Sequence, residues 1–225
     1  MKAILFDFGG TIDTDGVHWS EKYWDLYQQF GVGVTKKEFE AAFVESEAML
    51  LQYTDLPRAT LQKTLHKQLI FQFGILKIDD DAGVVKEMAD ACYEEVRRTI
   101  AQASLTLAAL QPRYRLGLVS NFYGNLEVVC KEFGLDKFFS VMIDSAVVGV
   151  RKPDPEIFAK ALRKMDVLAR EACVVGDSYD RDVVPGKALG CKTIWLKGKS
   201  WMTPPSTAAA DHTIDKFEEI RKLLL

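Results

Sequence analysis

The chain lacks the marks of a disulfide scaffold, a redox centre or a membrane protein. Its four cysteines, Cys92, Cys130, Cys173 and Cys191, lie far apart with no C-x-x-C pair. That spacing excludes a zinc ribbon and a dithiol redox motif and leaves small, reduced, buried side chains as the expectation. Excess charge of one sign is missing too: 29 basic and 32 acidic side chains leave a net charge of −3. A nucleic-acid backbone or an anionic membrane surface requires clustered Lys and Arg, so neither partner is expected. No apolar run is long enough to span a bilayer. The opening Met1-Lys2-Ala3-Ile4-Leu5-Phe6 is cut by Asp7 before it reaches the length of a signal-peptide core, and no cleavage site follows. The expected location is cytoplasmic. Oligomeric state has no signature in the sequence.

What is present is a folded composition: 225 residues, 48% apolar and 27% charged, ample to close a core without disulfides or structural metal. Small-molecule chemistry is the class that remains. Short aliphatic or β-branched runs at Ala3 to Phe6, Arg115 to Ser120, Val141 to Ile143, Ala172 to Val175 and Lys192 to Leu196 read as buried strands. Between the later ones lie helical patterns at Asn125 to Phe133, Pro155 to Met165 and Asp182 to Leu189. Alternating strand and helix predicts an α/β fold, a Rossmann-like parallel sheet with crossover helices.

The segment from about Thr14 to Ala101 has helical periodicity and almost no strand signal. Its stripes are Trp19, Tyr23, Tyr27 and Phe30; Phe39, Phe43 and Leu50; Leu61, Leu65 and Leu69; and Val85, Met88, Cys92 and Val96. Four amphipathic helices are predicted, with starts marked by Ser20, the Thr35-x-x-Glu38 capping box, Asp55 ahead of Pro57, and Asp79-Asp80-Asp81. The predicted organisation is therefore a catalytic core of residues 1–14 and 102–225, with the sheet resuming near Ser104, and a helical cap of residues 15–101 inserted after the first strand. Ser200 to Ala210 reads as an irregular loop.

In an open α/β sheet the ligand site lies beyond the carboxyl ends of the strands. The groups there are Asp7-Phe8-Gly9-Gly10-Thr11, Ser120-Asn121, and Gly176-Asp177-Ser178-Tyr179-Asp180-Arg181-Asp182, with Lys152 brought in by Gly149-Val150-Arg151-Lys152-Pro153-Asp154-Pro155. Four motifs in this order, spanning nearly the whole core, resemble those of the haloacid dehalogenase-like hydrolase superfamily. The inserted helices resemble the family's cap between its first and second motifs. The resemblance implies that Asp7 attacks phosphorus to form an aspartyl-phosphate on a small phosphorylated substrate. It implies further that Ser120 and Lys152 assist, with Gly10, Thr11 and Asn121 shaping the phosphate-binding loops. Asp7, the Gly9 carbonyl, Asp177 and Asp182 would serve a magnesium ion, Asp182 either directly or through metal-bound water. The chemistry of the residues agrees, since two carboxylates at ~4 Å repel by roughly 4 kcal/mol and a crowded carboxylate cluster favours a hard divalent ion.

Each motif also has a plain structural reading. Asp7 can cap the turn after its strand, Ser120-Asn121 and Asp182 can cap helices, and Lys152 can be a solvated loop lysine. His18, His66 and His212 read as surface or packing residues, although His18 lies near enough to the hinge to reach substrate. Trp19, Tyr23, Trp24 and Tyr27 read as core.

One departure from the family pattern stands out. Its phosphatases carry a general acid/base Asp two residues after the nucleophile, and here that position is Gly9. Such a group is worth about 10² to 10⁴ in rate. Three hydrolytic readings follow. Dehalogenases of the family also lack that Asp but dispense with magnesium, which Gly176-Asp177-Ser178 with Asp182 argues against. Phosphonate-cleaving members use a cap lysine as a Schiff base, yet no matching motif surrounds Lys22, Lys63 or Lys67. The favoured reading is a magnesium-dependent phosphatase for leaving groups that need little protonation, or one that borrows Asp13, Asp15 or a cap residue as acid. A catalytically reduced relative that binds a phosphate ligand or a partner is the alternative from another class.

Overall fold

A computed structural model describes residues 1–80, 82–203 and 210–225. The five expected strands form where the aliphatic runs lie: β1 (Ala3–Phe6), β2 (Arg115–Ser120), β3 (Phe139–Asp144), β4 (Ala172–Gly176) and β5 (Lys192–Leu196). A sixth, β6 (His212–Ile214), has no aliphatic run to announce it. The sheet order is β3-β2-β1-β4-β5-β6, with every pairing parallel. Crossovers are supplied by α5 (Leu126–Glu132), α6 (Ser145–Val148), α7 (Glu156–Met165) and α8 (Val184–Ala188), and α9 (Ile220–Leu224) closes the chain. The order reverses between β1 and β4, which is where a doubly wound sheet opens its ligand crevice.

Between β1 and β2 the chain forms α1 (Trp19–Gln29), α2 (Lys36–Gln52), α3 (Leu61–Leu76) and α4 (Val84–Leu110). The α4 helix runs unbroken through the boundary drawn at 101/102, because Ala103, Leu107 and Leu110 continue its buried face, and the sheet resumes at Arg115. Alternation along β1 sends Ile4 and Phe6 to one face and Ala3 and Leu5 to the other. On the first face a single apolar cluster continues through Tyr23, Phe39, Leu69 and Met88 into the insert. On the second, Leu5, Val119 and Ile143 pack against Phe158 and Met165 of α7. Among the described residues no helix is long and apolar enough to cross a membrane.

The capping box forms as expected, Thr35 accepting from Glu38 N–H and Glu38 accepting from Thr35 N–H at 2.8 Å. Two other starts differ. The His18 imidazole caps α1 by accepting Ser20 N–H at 3.2 Å, and Ser20 Oγ bonds to the same ring nitrogen. Asp55 precedes a short 3-10 turn, while α3 is capped by Thr60. Asp80 Oδ1 accepts Val85 N–H at 3.1 Å at the start of α4. Asp81 and residues 204–209 of the expected loop lie outside the described residues.

Tyr27 is fully buried, with its ring 5.0 Å from Phe39 and 5.9 Å from Phe73. Its hydroxyl has no hydrogen-bond partner among the described residues. A buried unpaired hydroxyl costs about 1–3 kcal/mol, and Phe keeps the ring contacts. Tyr27→Phe is therefore expected to raise stability to urea by about 1 kcal/mol; a loss of stability would show that the hydroxyl is partnered.

Candidate active site

The register of the three central strands brings the site together. Phe6 lies opposite both Leu118 of β2 and Val175 of β4. Asp7, Ser120 and Asp177 therefore emerge at neighbouring strand ends, with the Asp7 N–H bonded to Val175 O at 2.9 Å. Asp182 arrives from a π-helical turn over Tyr179–Val183, and its Oδ2 accepts Ser178 N–H at 3.1 Å. One oxygen from each of Asp7, Asp177 and Asp182 lies within 4.8 Å of the others.

Lys152 is the cation in this cluster. Its Nζ lies 2.6 Å from Asp7 Oδ1 and 2.7 Å from Asp182 Oδ1, with a side chain only 2% exposed. Burial opposes its charge, but Asp182 and Asp7 outweigh that and hold the ammonium above its ordinary value. Ser120 Oγ donates to the same Asp7 Oδ1 at 3.0 Å. Asp7 Oδ2 accepts no hydrogen bond among the described residues, so one oxygen is pinned and the other is open. Asn121 uses its amide on the Lys152 backbone, accepting from Lys152 N–H at 2.8 Å and donating to Lys152 O at 3.0 Å. It lines the cavity as well.

The first loop is tied to the fourth strand. Thr11 Oγ1 accepts Asp177 N–H at 3.0 Å and donates to Asp177 Oδ1 at 3.3 Å. Gly10, with φ +93°, packs so tightly that a Cβ there would overlap the Asp177 carboxylate. Burial, then the charges of Asp7 and Asp182, push the Asp177 carboxyl well above its usual range, and Lys152 only partly opposes them. Asp182 is pushed to about 6, chiefly by burial. A cluster of hard oxygen donors short of positive charge is the donor set that a magnesium ion takes, so the residues fit that ion.

Gly9 also lines the cavity. A Cβ added there would meet Trp19 Nε1 at 3.5 Å and Asp13 Oδ2 at 4.0 Å, ordinary contact distances. Asp13 itself is fully buried, its Oδ1 accepting Gly10 N–H at 2.7 Å and its Oδ2 accepting Trp19 Nε1–H at 2.9 Å. Asp15 faces elsewhere, bonded to Lys216 and to Phe217 N–H. Neither aspartate lines the site cavity, nor does any of Lys22, Lys63 and Lys67. Lys22 pairs with Glu95, and Lys67 lies 4.4 Å from the Tyr53 ring.

The cavity, of about 280 Å³, is closed on one side by the strand ends and on the other by the insert. His18, Trp19 and Trp201 line it. Burial pushes the His18 imidazole down to about 4, so it is neutral, and it stacks on Trp201 at 6.0 Å. Sequence reasoning missed Glu47, Tyr123 and Trp201 as cavity residues, since none belongs to a motif, and missed Arg151 and Arg181, which lie within two of the quoted motifs but were given no role there. His66 and His212 lie away from the cavity.

Comparison with known proteins places the chain. Residues 1–190 match the family of haloacid dehalogenase-like hydrolases. The chain is 30% identical over 209 residues to the Haloacid dehalogenase-like hydrolase domain-containing protein 3 of Mus musculus, covering 88% of this chain and 82% of that one. It is 41% identical over 86 residues to the Glyceraldehyde 3-phosphate phosphatase of Pyrococcus abyssi, which is 37% of this chain and 36% of that one. A HAD phosphatase structure from Thermococcus onnurineus superposes with a TM-score of 0.60 at 25% identity, covering 100% of this chain and 98% of that one.

Burial pushes the Asp13 carboxyl up to about 7, although the hydrogen bonds it accepts oppose the shift. Between the ordinary value of 3.8 and about 7, the folded chain keeps a proton that the unfolded chain has released. Asp13 therefore makes folding less favourable as pH rises through that window, and the loss is complete above it. Asp13→Asn is expected to flatten the fall in Tm between pH 4 and 7; an unchanged slope would show that Asp13 is ionised throughout.

Proposed function

Because the chain belongs to the haloacid dehalogenase-like hydrolases, we propose that it is a magnesium-dependent phosphatase of small phosphorylated metabolites, with Asp7 as the phosphoryl acceptor. The observation that carries this reading is the meeting of Asp7, Asp177 and Asp182 at one crevice, with Lys152 in contact with Asp7 and Asp182. Similarity to a glyceraldehyde 3-phosphate phosphatase and to a HAD phosphatase supports phosphate esters as the substrate class.

When bound by Asp7, Asp177, Asp182 and the Gly9 carbonyl, a divalent ion supplies positive charge to the phosphoryl oxygens. Lys152 and Ser120 hold Asp7 Oδ1, which leaves Oδ2 to attack phosphorus while the leaving oxygen departs with the P–O bonding pair. With the Ser120 proton committed to Asp7 Oδ1, backbone N–H groups of the first loop orient the non-bridging oxygens. Water then attacks the phosphorus of the aspartyl-phosphate, and the P–O bond to Asp7 breaks with its electron pair returning to the carboxylate. Inorganic phosphate leaves, with the water proton passing to solvent or to the phosphate. The helical insert acts as a cap that excludes bulk water from this reaction. With Gly9 in the acid position, and Asp13 and Asp15 engaged outside the cavity, no aspartate protonates the leaving group. Aryl phosphates, whose phenolates leave without help, are the expected good substrates.

With magnesium, the protein is expected to hydrolyse aryl phosphates and to lose that activity in Asp7→Asn. Gly9→Asp, which the contacts at Gly9 admit, is expected to raise kcat/KM for alkyl phosphates by about 10² or more. Absence of magnesium-dependent turnover across a panel of esters would favour a phosphate-ligand-binding module. Metal-independent halide release from 2-haloacids would favour a dehalogenase.

A further inference from the structure

Two arginines line the cavity with no hydrogen-bonded or ion-paired partner among the described residues. Arg151, just before Lys152, and Arg181, in the π-helical turn, are exposed residues at its wall. Neither side chain makes an ion pair or hydrogen bond among the described residues. The wall provided by the insert presents Glu47 of α2 and Gln68 of α3. Glu47 Oε1 accepts from Tyr123 OH at 2.5 Å and from Gln68 Nε2 at 2.6 Å, and Gln68 Oε1 accepts from the buried Tyr23 OH at 2.9 Å. Neutral donors therefore hold Glu47 Oε1, and among the described residues neither guanidinium is hydrogen-bonded to this carboxylate.

The arginines share the cavity with Glu47 and His18. Their charges act on Glu47, and that of Arg181 also acts on His18. The charges that act most on Asp177 and Asp182 are instead those of the other site aspartates and Lys152. Lys152 is already engaged by Asp7 and Asp182. Two unpaired guanidinium groups beside the phosphoryl site thus exceed what the reacting phosphate requires. Guanidinium is the side-chain group best shaped to grip a second planar or tetrahedral anion through paired N–H donors.

We propose that Arg151 and Arg181 form a subsite for a second anionic group on the organic part of the substrate, so that the preferred substrates are small phosphate esters carrying a carboxylate or another phosphoryl group. The inference rests on the phosphatase reading for the identity of the reacting group. The cavity of about 280 Å³ suits a metabolite-sized ester of this kind.

The test compares 3- and 4-carboxyphenyl phosphate with their isosteric carbamoylphenyl phosphates, with 1,4-phenylene bisphosphate alongside to separate the two anions. The neutral carboxamides match the acids in size and have leaving groups at least as good, so a preference for the acid reports the charge alone. Wild type is expected to favour at least one anionic ester over the carboxamides by about tenfold or more in kcat/KM. In Arg151→Gln and Arg181→Gln that ratio is expected to fall toward one. Equal rates for charged and neutral esters, or a preference that persists in both variants, would overturn the subsite. If no ester is turned over, the phosphatase reading fails separately. The same ratio is then read as Kd in Asp7→Asn, from quenching of Trp19 and Trp201 in the cavity. A tighter anionic ester supports the subsite there, and equal affinities overturn it.

Discussion

The structure depends on crowding three carboxylates, two of them buried, beside one ammonium. Oxygens of Asp7, Asp177 and Asp182 come within 4.8 Å of one another, where two charged carboxylates repel by about 3.5 kcal/mol at an effective dielectric near 20. Lys152 offsets Asp7 and Asp182 by direct contact, but Asp177 has no such neighbour, and its carboxyl is pushed well above the ordinary range. The surroundings hold this arrangement against its own repulsion. Thr11 braces Asp177, Ser120 pins Asp7, Asn121 fixes the Lys152 backbone, and Ser178 N–H restrains Asp182. Gly10 and Gly176 leave room for Asp177 and Asp182, each at a point where a Cβ would overlap a carboxylate. Such preorganisation is costly without a cation and useful with one.

The sheet and the insert divide the work. Parallel pairing of β1 with β2 and β4 sets the strand ends side by side, so residues over a hundred positions apart meet without any local motif joining them. The insert then supplies the opposing wall. It is fastened through the shared apolar core of Tyr23, Phe39 and Met88. It is also tied to the segment after β5, where Lys199 pairs with Asp25 at 2.7 Å and Trp201 meets Phe43 edge-on at 5.6 Å. Between those walls, electrostatic interactions act in a partly dehydrated space, which strengthens them.

Much of this was legible in the sequence, for physical reasons that can be named. Buried parallel strands write themselves as aliphatic runs, so β1, β2, β3, β4 and β5 are visible; β6 is not, because His212 and Thr213 at the sheet edge are exposed and only Ile214 is buried. The helices of the insert showed in their stripes. The length of α4 did not, because its periodicity passes through Ser104 without a breaker before Gln111. Asp7, Lys152, Asp177 and Asp182 could be paired in advance because their motifs follow strands. Glu47, Arg151 and Arg181 could not, since facing on a helix or loop is set by tertiary packing. Ser20 lies inside the first turn and is not the cap, because the helix starts one residue earlier, where the His18 ring nitrogen accepts the Ser20 N–H.

The central claim is that the carboxylate triad is a divalent-cation site. Isothermal titration of magnesium into wild type and into Asp177→Asn tests it without reference to any substrate. One saturable site is expected in wild type, with an affinity weakened by about tenfold or more in the variant. Absence of binding to wild type, or equal affinity in the two proteins, would contradict it.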